Sequence, residues 1–458
     1  SLGRPVKWIE DRAEHLVATN HAREQIHEIA VAARADGTLL AFVDRAWCDQ
    51  GAYVRTQGLL PSMLPGLHLP GPYVWKAFSV TTHAVLTNRT PVGTYRGPGM
   101  TEATFVRERM VDLVAGELGI DPIELRRRNL VPGERMPFTY DLGPGAPPIV
   151  YGSGDYPAFF EQLVEAANLE SLRDGAERVG IGVAATVELG GIGPFEEASV
   201  EVCSDGTVVV RAGVASLGQG IETALAQIAA DELGVPVERV AVRHHDTDDV
   251  ESGFGSFASR SAVVAGNAVA LAARELRERA GGTDVDDLVA VGEVRGRFDK
   301  EHPSFSFGAA VSVVAVEEET GRVTPLRHVV AHDVGRAVNP ALVHGQLAGG
   351  AAQGIAGALF EELPYDEDGN PLALSLADYA MPTLAEIPPI ETIAIESEVL
   401  DNPLGIKGAG EGGITSAPAA VANAVADALG QAGRAVDRLP LTPARVRAML
   451  RESDEEGR

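Results

Sequence analysis

One carboxylate stands inside a loop that is otherwise almost all glycine: Gly408-Ala409-Gly410-Glu411-Gly412-Gly413. Glycines let a backbone approach a bulky group closely and adopt φ > 0. A glutamate at the centre is presented to whatever the glycines approach, which is how a general base is built. The run Asn402-Pro403-Leu404-Gly405-Ile406-Lys407 precedes the loop, and a helix-like stretch over 418–429 follows it. Gly408-x-Gly410-x-x-Gly413 also fits the dinucleotide fingerprint formally. That fingerprint directly follows a strand, whereas 400–407 separates this loop from the strand-like 392–399, and Glu411 would repel a pyrophosphate. A plain structural turn is the other alternative.

The chain has 458 residues, enough for two or three domains with real cores. Its formal net charge of −27 argues against nucleic acid and anionic membrane as partners. Cys48 and Cys203 are the only cysteines, too few for a disulfide framework, a zinc knuckle or a cysteine-ligated iron–sulfur cluster. The stretch 342–360 has only His344 as a possible charge. Its glycines and alanines, with Gln346 and Gln353, predict a tightly packed buried helix rather than a membrane span. No signal peptide is visible, which predicts a cytoplasmic protein. Gly3 follows Ser1-Leu2 with no initiator methionine, so a fragment of a longer chain is expected.

Strand-like runs at 26–33, 39–47 and 77–86 precede a helix over 101–118, whose Val106, Met110, Leu113, Val114 and Leu118 share a face. The Pro/Gly-rich 132–154 reads as a linker or long surface loop. The division expected is a first domain over 1–154, a linker over 155–177, a second domain over 178–450 and a charged tail at 451–458. Within the second domain, strands are predicted at 178–188, 198–203, 207–212, 240–244, 307–317 and 324–332. Helices are predicted at 222–233, 345–361 and 418–429, and 280–295 reads as a connection. Mixed elements without regular βαβα alternation predict an α+β fold. Three Gly-rich loops run into helix N-termini: Arg96-Gly97-Pro98-Gly99, Gly218-Gln219-Gly220 and 408–413. Each N-terminus offers free N–H groups to an anion.

These loops carry a resemblance. Gly93-Thr94-Tyr95-Arg96-Gly97-Pro98-Gly99 and Gly218-Gln219-Gly220-Ile221-Glu222-Thr223 resemble signatures of the xanthine dehydrogenase/aldehyde oxidase molybdenum enzymes. So do Ser259-Arg260-Ser261 with Gly266-Asn267-Ala268, Asp333-Val334-Gly335-Arg336 with Asn339-Pro340, Gln346 through Gln353-Gly354, and Lys407-Gly408-Ala409-Gly410-Glu411. They stand in family order across nearly the whole chain, and the molybdopterin-binding large subunits of the carbon monoxide dehydrogenase type are the nearest subgroup.

The resemblance implies a hydroxylase that oxidises an aldehyde or N-heterocycle with oxygen from water, Glu411 being the base. It implies a molybdenum–molybdopterin cofactor, in the cytosine dinucleotide form of bacterial relatives, with FAD and iron–sulfur clusters on partner subunits in a dimer of heterotrimers. Cofactor-binding positions carried over are Arg96, Gly97, Gly218, Gln219, Gly220, Ala258, Ser259, Arg260, Ser261, Lys407, Gly408 and Gly410; no residue of this chain ligates the metal. Gly97 stands where carbon monoxide dehydrogenases carry a copper-binding cysteine, and Pro98 where purine oxidases carry a phenylalanine. The family's first cofactor motif and its hammerhead domain have no counterpart in this sequence. A chain that binds cofactor without turning over alone is therefore the second reading. His244-His245-Asp246 imitates a metal cluster, but adjacent strand residues face opposite ways. His332 beside Asp333 reads as a strand-end pair on the same ground.

Overall fold

The computed structural model describes residues 2–143, 147–169, 178–244, 246–300 and 302–456. The chain opens with α1 (Arg12–Ala18), β1 (Gln25–Ala33), β2 (Leu39–Asp49), α2 (Leu60–His68), β3 (Ala77–Val85) and α3 (Met100–Leu118). There follow α4 (Pro122–Asn129), β4 (Phe138–Tyr140), β5 (Ile149–Tyr151), α5 (Tyr156–Ala167), β6 (Val179–Gly190), β7 (Phe195–Val202) and β8 (Val208–Ala212). Next come α6 (Ile221–Leu233), β9 (Val240–Arg243), α7 (Gly266–Ala280), α8 (Val285–Val291), β10 (Val294–Asp299) and β11 (Ser304–Val316). The last elements are β12 (Val323–Asp333), α9 (Pro340–Leu359), β13 (Ile390–Ile395), α10 (Gly412–Leu429) and α11 (Pro443–Glu456).

Among the described residues the strands form sheets ordered β1-β2-β3, β10-β7-β8-β9, β13-β12-β11-β6 and β4-β5. The architecture is α+β, and the third sheet positions the site. β6 and β11 are buried along almost their whole length, as strands covered on both faces must be. Val183, Ala185, Val187 and Leu189 face one core, with Phe305, Phe307 and aromatics of β4, β5 and α5. The alternate positions of β6 are small and lie under α10. A Cβ on Gly180 would stand 2.0 Å from the Ala424 carbonyl, and one on Gly182 2.1 Å from that of Ala420. Glycine there lets the helix rest directly on the sheet. The same face continues to Glu188, so α10 lies along β6 with Glu411, its N-cap, next to that carboxylate.

α9 is pressed against the start of α10 by the same device. A Cβ on Gly413 would meet the Leu347 carbonyl at 2.1 Å, and one on Gly354 would meet Ala417 Cβ at 2.6 Å. The Gly/Ala composition of 342–360 thus serves helix packing, and among the described residues no helix is long and apolar enough to cross a membrane. The sheet of β7–β10 forms its own core with α6, α7 and α8, and Leu404 and Ile406 join it. Asn267 ties them in: its Oδ1 accepts from Leu404 N at 2.9 Å, and its Nδ2 donates to Asn402 Oδ1 at 3.1 Å.

Several segments differ from expectation. The Pro/Gly-rich 132–154 carries the β4–β5 pair, whose Phe138, Tyr140, Ile149 and Tyr151 are buried. The segment expected as a linker starts with α5, N-capped by Asp155 and buried through Tyr156, Phe159, Phe160 and Leu163; residues 170–177 lie outside those described. One core therefore runs across the expected division, with Tyr151 and Tyr156 packed on Phe305 and Phe307. The connection expected at 280–295 contains α8, capped by Asp284, and the start of β10. α10 begins at Gly412, not 418, so Pro418 lies inside it. Two glycines and a proline are a poor local helix signal, and packing against β6 and α9 overrides it.

Candidate functional site

Three helix N-termini begin at the glycine loops singled out in the sequence. α3 is capped by Gly99 at φ 69°, α6 by Gly220 at φ 77° and α10 by Glu411, and in none does a side chain cap the first turn. Their leading N–H groups remain an anion-favouring surface. α3 and α10 meet directly, because Gly97 N donates to Glu411 Oε1 at 2.8 Å. Gly97 has φ +72°, and a Cβ there would stand 2.7 Å from Thr101 Oγ1. Only glycine fits that turn without strain.

Arg96 locks the glycine loop from the other side. Its Nε donates to the Gly410 carbonyl at 2.7 Å, and Nη1 to Gln353 Oε1 at 2.7 Å. Nη2 reaches Gln346 through its carbonyl at 3.1 Å and its Oε1 at 3.0 Å. Gln346 and Gln353 are two turns apart on α9 and so share a face. Ser259 Oγ lies 3.3 Å from Glu411 Oε2 and donates in a short bond to Glu188 Oε1. Ala258 and Ser259 have φ of 47° and 48°, unusual for residues with a Cβ. Such strain concentrates at functional sites.

Glu411 is 8% exposed. Burial is the main cause that pushes its pKa up to about 7; Glu188 adds to the rise, and Gly97 N–H, Ser259 and Arg96 oppose it. Burial likewise lowers the pKa of Arg96, against the pull of Glu188 and Glu411. Behind them, His332 Nε2 stands 3.0 Å from Glu188 Oε2 and 3.3 Å from the Gly408 carbonyl. The cluster thus holds a carboxylate able to take a proton near neutral pH, with fixed donors about it.

The remaining predicted positions fall into two groups. Gly408 and Gly410 lie against Ser259: a Cβ on either would stand 2.5 Å from the Ser259 carbonyl or 3.0 Å from its Oγ. Ser261 Oγ donates to Ser256 Oγ, which donates to the Ala215 carbonyl, tying this loop to the turn before α6. In that turn Gln219 braces its own backbone, accepting from Leu217 N at 2.5 Å and donating to the Ala215 carbonyl at 3.0 Å. Gly218, at φ +89°, has no atom within 4 Å of its Cβ position, and Leu217 is 73% exposed. Arg260 and Lys407 are instead committed to protein. Arg260 is fully buried, paired with Glu196 and bonded to the Ile192, Phe195 and Gly255 carbonyls. Lys407 pairs with Asp333.

Glu188 and His332 were not read as site residues from sequence. A signal existed for Glu188, a lone charge in the apolar strand 179–190. His332 and Asp333 face different partners, Glu188 and Lys407, so they form no dyad. His244 Nε2 pairs with Glu222 at 3.0 Å, and His245 lies outside the described residues. A recess of about 470 Å³ opens between Gly191–Pro194 and Asp299, Lys300 and Pro303, beside the carboxylate cluster and not at it.

Among the described residues no group of three His, Cys, Asp or Glu side chains could hold a metal ion. A metal carried by an organic cofactor needs no such group. Uncapped helix N-termini, backbone in the left-handed region and the open Gly218 turn suit a large polyanionic cofactor of that kind.

The comparisons agree with this donor set. Molybdopterin cofactor-binding domain families match residues 1–130 and, for a second such domain, 160–291 and 287–388. The 6-hydroxypseudooxynicotine dehydrogenase complex subunit gamma of Paenarthrobacter nicotinovorans is 38% identical over 97% of this chain and 62% of its own length. The carbon monoxide dehydrogenase large chain of Hydrogenophaga pseudoflava is 30% identical over 98% of this chain and 64% of its own length. The crystal structure of quinoline 2-oxidoreductase from Pseudomonas putida 86 superposes with a TM-score of 0.92 at 33% identity, over 98% of this chain and 65% of that one. This chain spans under two thirds of each relative's length. With its glycine turns, uncapped helix ends and buried glutamate, the chain belongs to the molybdopterin cofactor-binding family that includes the xanthine dehydrogenase and carbon monoxide dehydrogenase large subunits.

Proposed function

We propose that this chain forms the cofactor-binding part of a molybdenum hydroxylase in which Glu411 is the general base. The observation that carries the reading is a buried carboxylate, pushed up to about 7, held in a glycine turn by Gly97 N–H. The reaction class converts a substrate C–H and water into C–OH, two protons and two electrons. The molybdenum centre, when bound, supplies the two-electron acceptor. Glu411 takes a proton from the water-derived oxygen, Arg96 holds the Gly410 carbonyl and so fixes the loop, and burial keeps bulk water from levelling the carboxylate.

An N-heterocycle is the favoured substrate class, with an aldehyde second. Support comes from relatives named nicotine 6-hydroxylase and quinoline 2-oxidoreductase. The cofactor form proposed is the cytosine dinucleotide. Electrons then leave through iron–sulfur and FAD partner subunits in a dimer of heterotrimers, so the isolated chain does not turn over. The partner reading is supported by relatives described as a subunit gamma, a large subunit and a large chain.

Glu411→Gln tests the reading, because it keeps size and hydrogen bonding but cannot take the proton. Turnover of the assembled, molybdenum-loaded complex should fall by roughly 10²–10⁴-fold with metal content unchanged. Full turnover by that variant rules the base out. A loaded wild-type complex inert towards N-heterocycles and aldehydes alike would favour a non-catalytic cofactor-binding module.

A further inference from the structure

Glu188 and Glu411 lie 223 positions apart in sequence and share one hydroxyl. Ser259 Oγ donates to Glu188 Oε1 and stands 3.3 Å from Glu411 Oε2. Glu411 N lies 3.3 Å from the same Glu188 oxygen. Both carboxylates are buried, at 0% and 8% exposure. A hydroxyl has one proton and two lone pairs. With its proton given to Glu188, Ser259 completes a strong bond to Glu411 only by accepting one, which requires a proton on Oε2.

Apart from Gly97 N, which donates to Glu411 Oε1 at 2.8 Å, the surroundings supply little other compensation. Arg96, from the loop before α3, acts on both carboxylates. From β12, His332 Nε2 faces Glu188 and the Gly408 carbonyl. Its Nδ1 has no hydrogen-bond partner and is hemmed in by Gly308 and Gly412, so the polar contacts of the ring fall to Nε2. Of the nearby charges, Lys407 is spent on Asp333 and Arg260 on Glu196, while Tyr95 is bonded to Gln353; α9 offers only neutral Gln346 and Gln353. Two carboxylates this close, sharing one guanidinium, do not both ionise cheaply.

We propose that Glu411 and Glu188 form one titrating unit that holds a single proton, coupled through the Ser259 hydroxyl. This rests on the reading of Glu411 as the base. A proton taken by Glu411 passes from Oε2 to Ser259 Oγ as the hydroxyl proton passes to Glu188 Oε1. The serine is left neutral, Glu411 is again a carboxylate, and no water enters. Apparent pKa values then belong to the pair and not to either residue.

Infrared titration of the protonated-carboxyl band, on the resting complex without substrate, tests the coupling. Glu188→Gln removes the neighbouring anion and should lower the midpoint by roughly one pH unit. Ser259→Ala removes the oxygen that accepts the Glu411 proton and keeps both carboxylates, so the midpoint should fall in this variant too. A fall in both variants supports the unit; an unmoved or raised midpoint in either overturns it. If Glu188→Gln does not fold, Ser259→Ala decides: a fall supports the coupling and any other result overturns it. Full turnover by Glu411→Gln would remove the base assignment and leave this titration standing, whereas an unmoved midpoint removes the coupling alone.

Discussion

Lys407 Nζ lies 2.5 Å from Asp333 Oδ2, with 3% and 0% of the two side chains exposed. The pair fastens the start of the glycine loop to the end of β12, where Lys407 N also donates to the Val334 carbonyl at 2.9 Å. Asp333 Oδ1 is held separately by Gly335 N at 3.0 Å and Ser397 Oγ at 2.7 Å. Removing one partner of such a pair strands a buried charge, at a cost of about 3–5 kcal/mol. Lys407→Met should lose about that much in chemical denaturation, and adding Asp333→Asn should recover part of it. Equal losses in the single and double variants would show that the pair does not act as a unit.

Arg96 spends its donors on three residues, Gly410, Gln346 and Gln353. Lysine has one donor head and cannot span them. Arg96→Lys should therefore behave much like Arg96→Ala, loosening the loop that aims Glu411. A misplacement of about 1 Å costs on the order of 10²-fold in rate, so turnover should fall by about that factor in both. Restoration of most of the activity by lysine would mean that charge alone matters here.

Much of the fold was legible where periodicity was local. The helix expected at 101–118 is α3, and the strand expected at 324–332 is β12. What escaped was decided by distant packing. β4 and β5 sit in a Pro/Gly-rich stretch and are held by Tyr151, which stacks on Phe138 and packs against Phe305. α10 starts on glycines that only a neighbouring sheet and α9 can stabilise. The structure brings Arg96, Gly97, Ser259, Gly410 and Glu411 into one hydrogen-bonded cluster. Glu188 stayed hidden because only the register of β6 beneath α10 shows which carboxylate faces Glu411.

Glu411 sets a pH signature in both rate and stability. Below about 7, the value to which Glu411 is pushed, its pair with Glu188 already holds a proton and takes no other, so turnover should climb as pH rises through about 7. The folded chain holds this proton more tightly than the unfolded chain, whose ordinary value is 4.5. The stability from that proton is full below about 4.5 and lost as pH rises to about 7. Denaturation at pH 5 and pH 8 should therefore show a smaller loss for Glu411→Gln than for wild type. Identical losses would place the proton elsewhere.

Two glycines, one in the α9–α10 contact and one on the open side of α9, separate packing from helix propensity. A Cβ on Gly413 would meet the Leu347 carbonyl at 2.1 Å and Ala351 N at 2.8 Å, both backbone atoms of α9. Backbone cannot rotate away, so Gly413→Ala must push the helices apart. The overpacking cost is typically about 1–3 kcal/mol. The displaced turn is also the one that follows Glu411, so cofactor content should fall with stability. Gly349, on α9, has nothing within 4 Å of its Cβ position. Gly349→Ala gains helix propensity and should stabilise the chain by roughly 0.5–1 kcal/mol. Thermal melts of the two variants should shift in opposite directions; destabilisation by Gly349→Ala would mean that the open side of α9 is filled in the assembled protein.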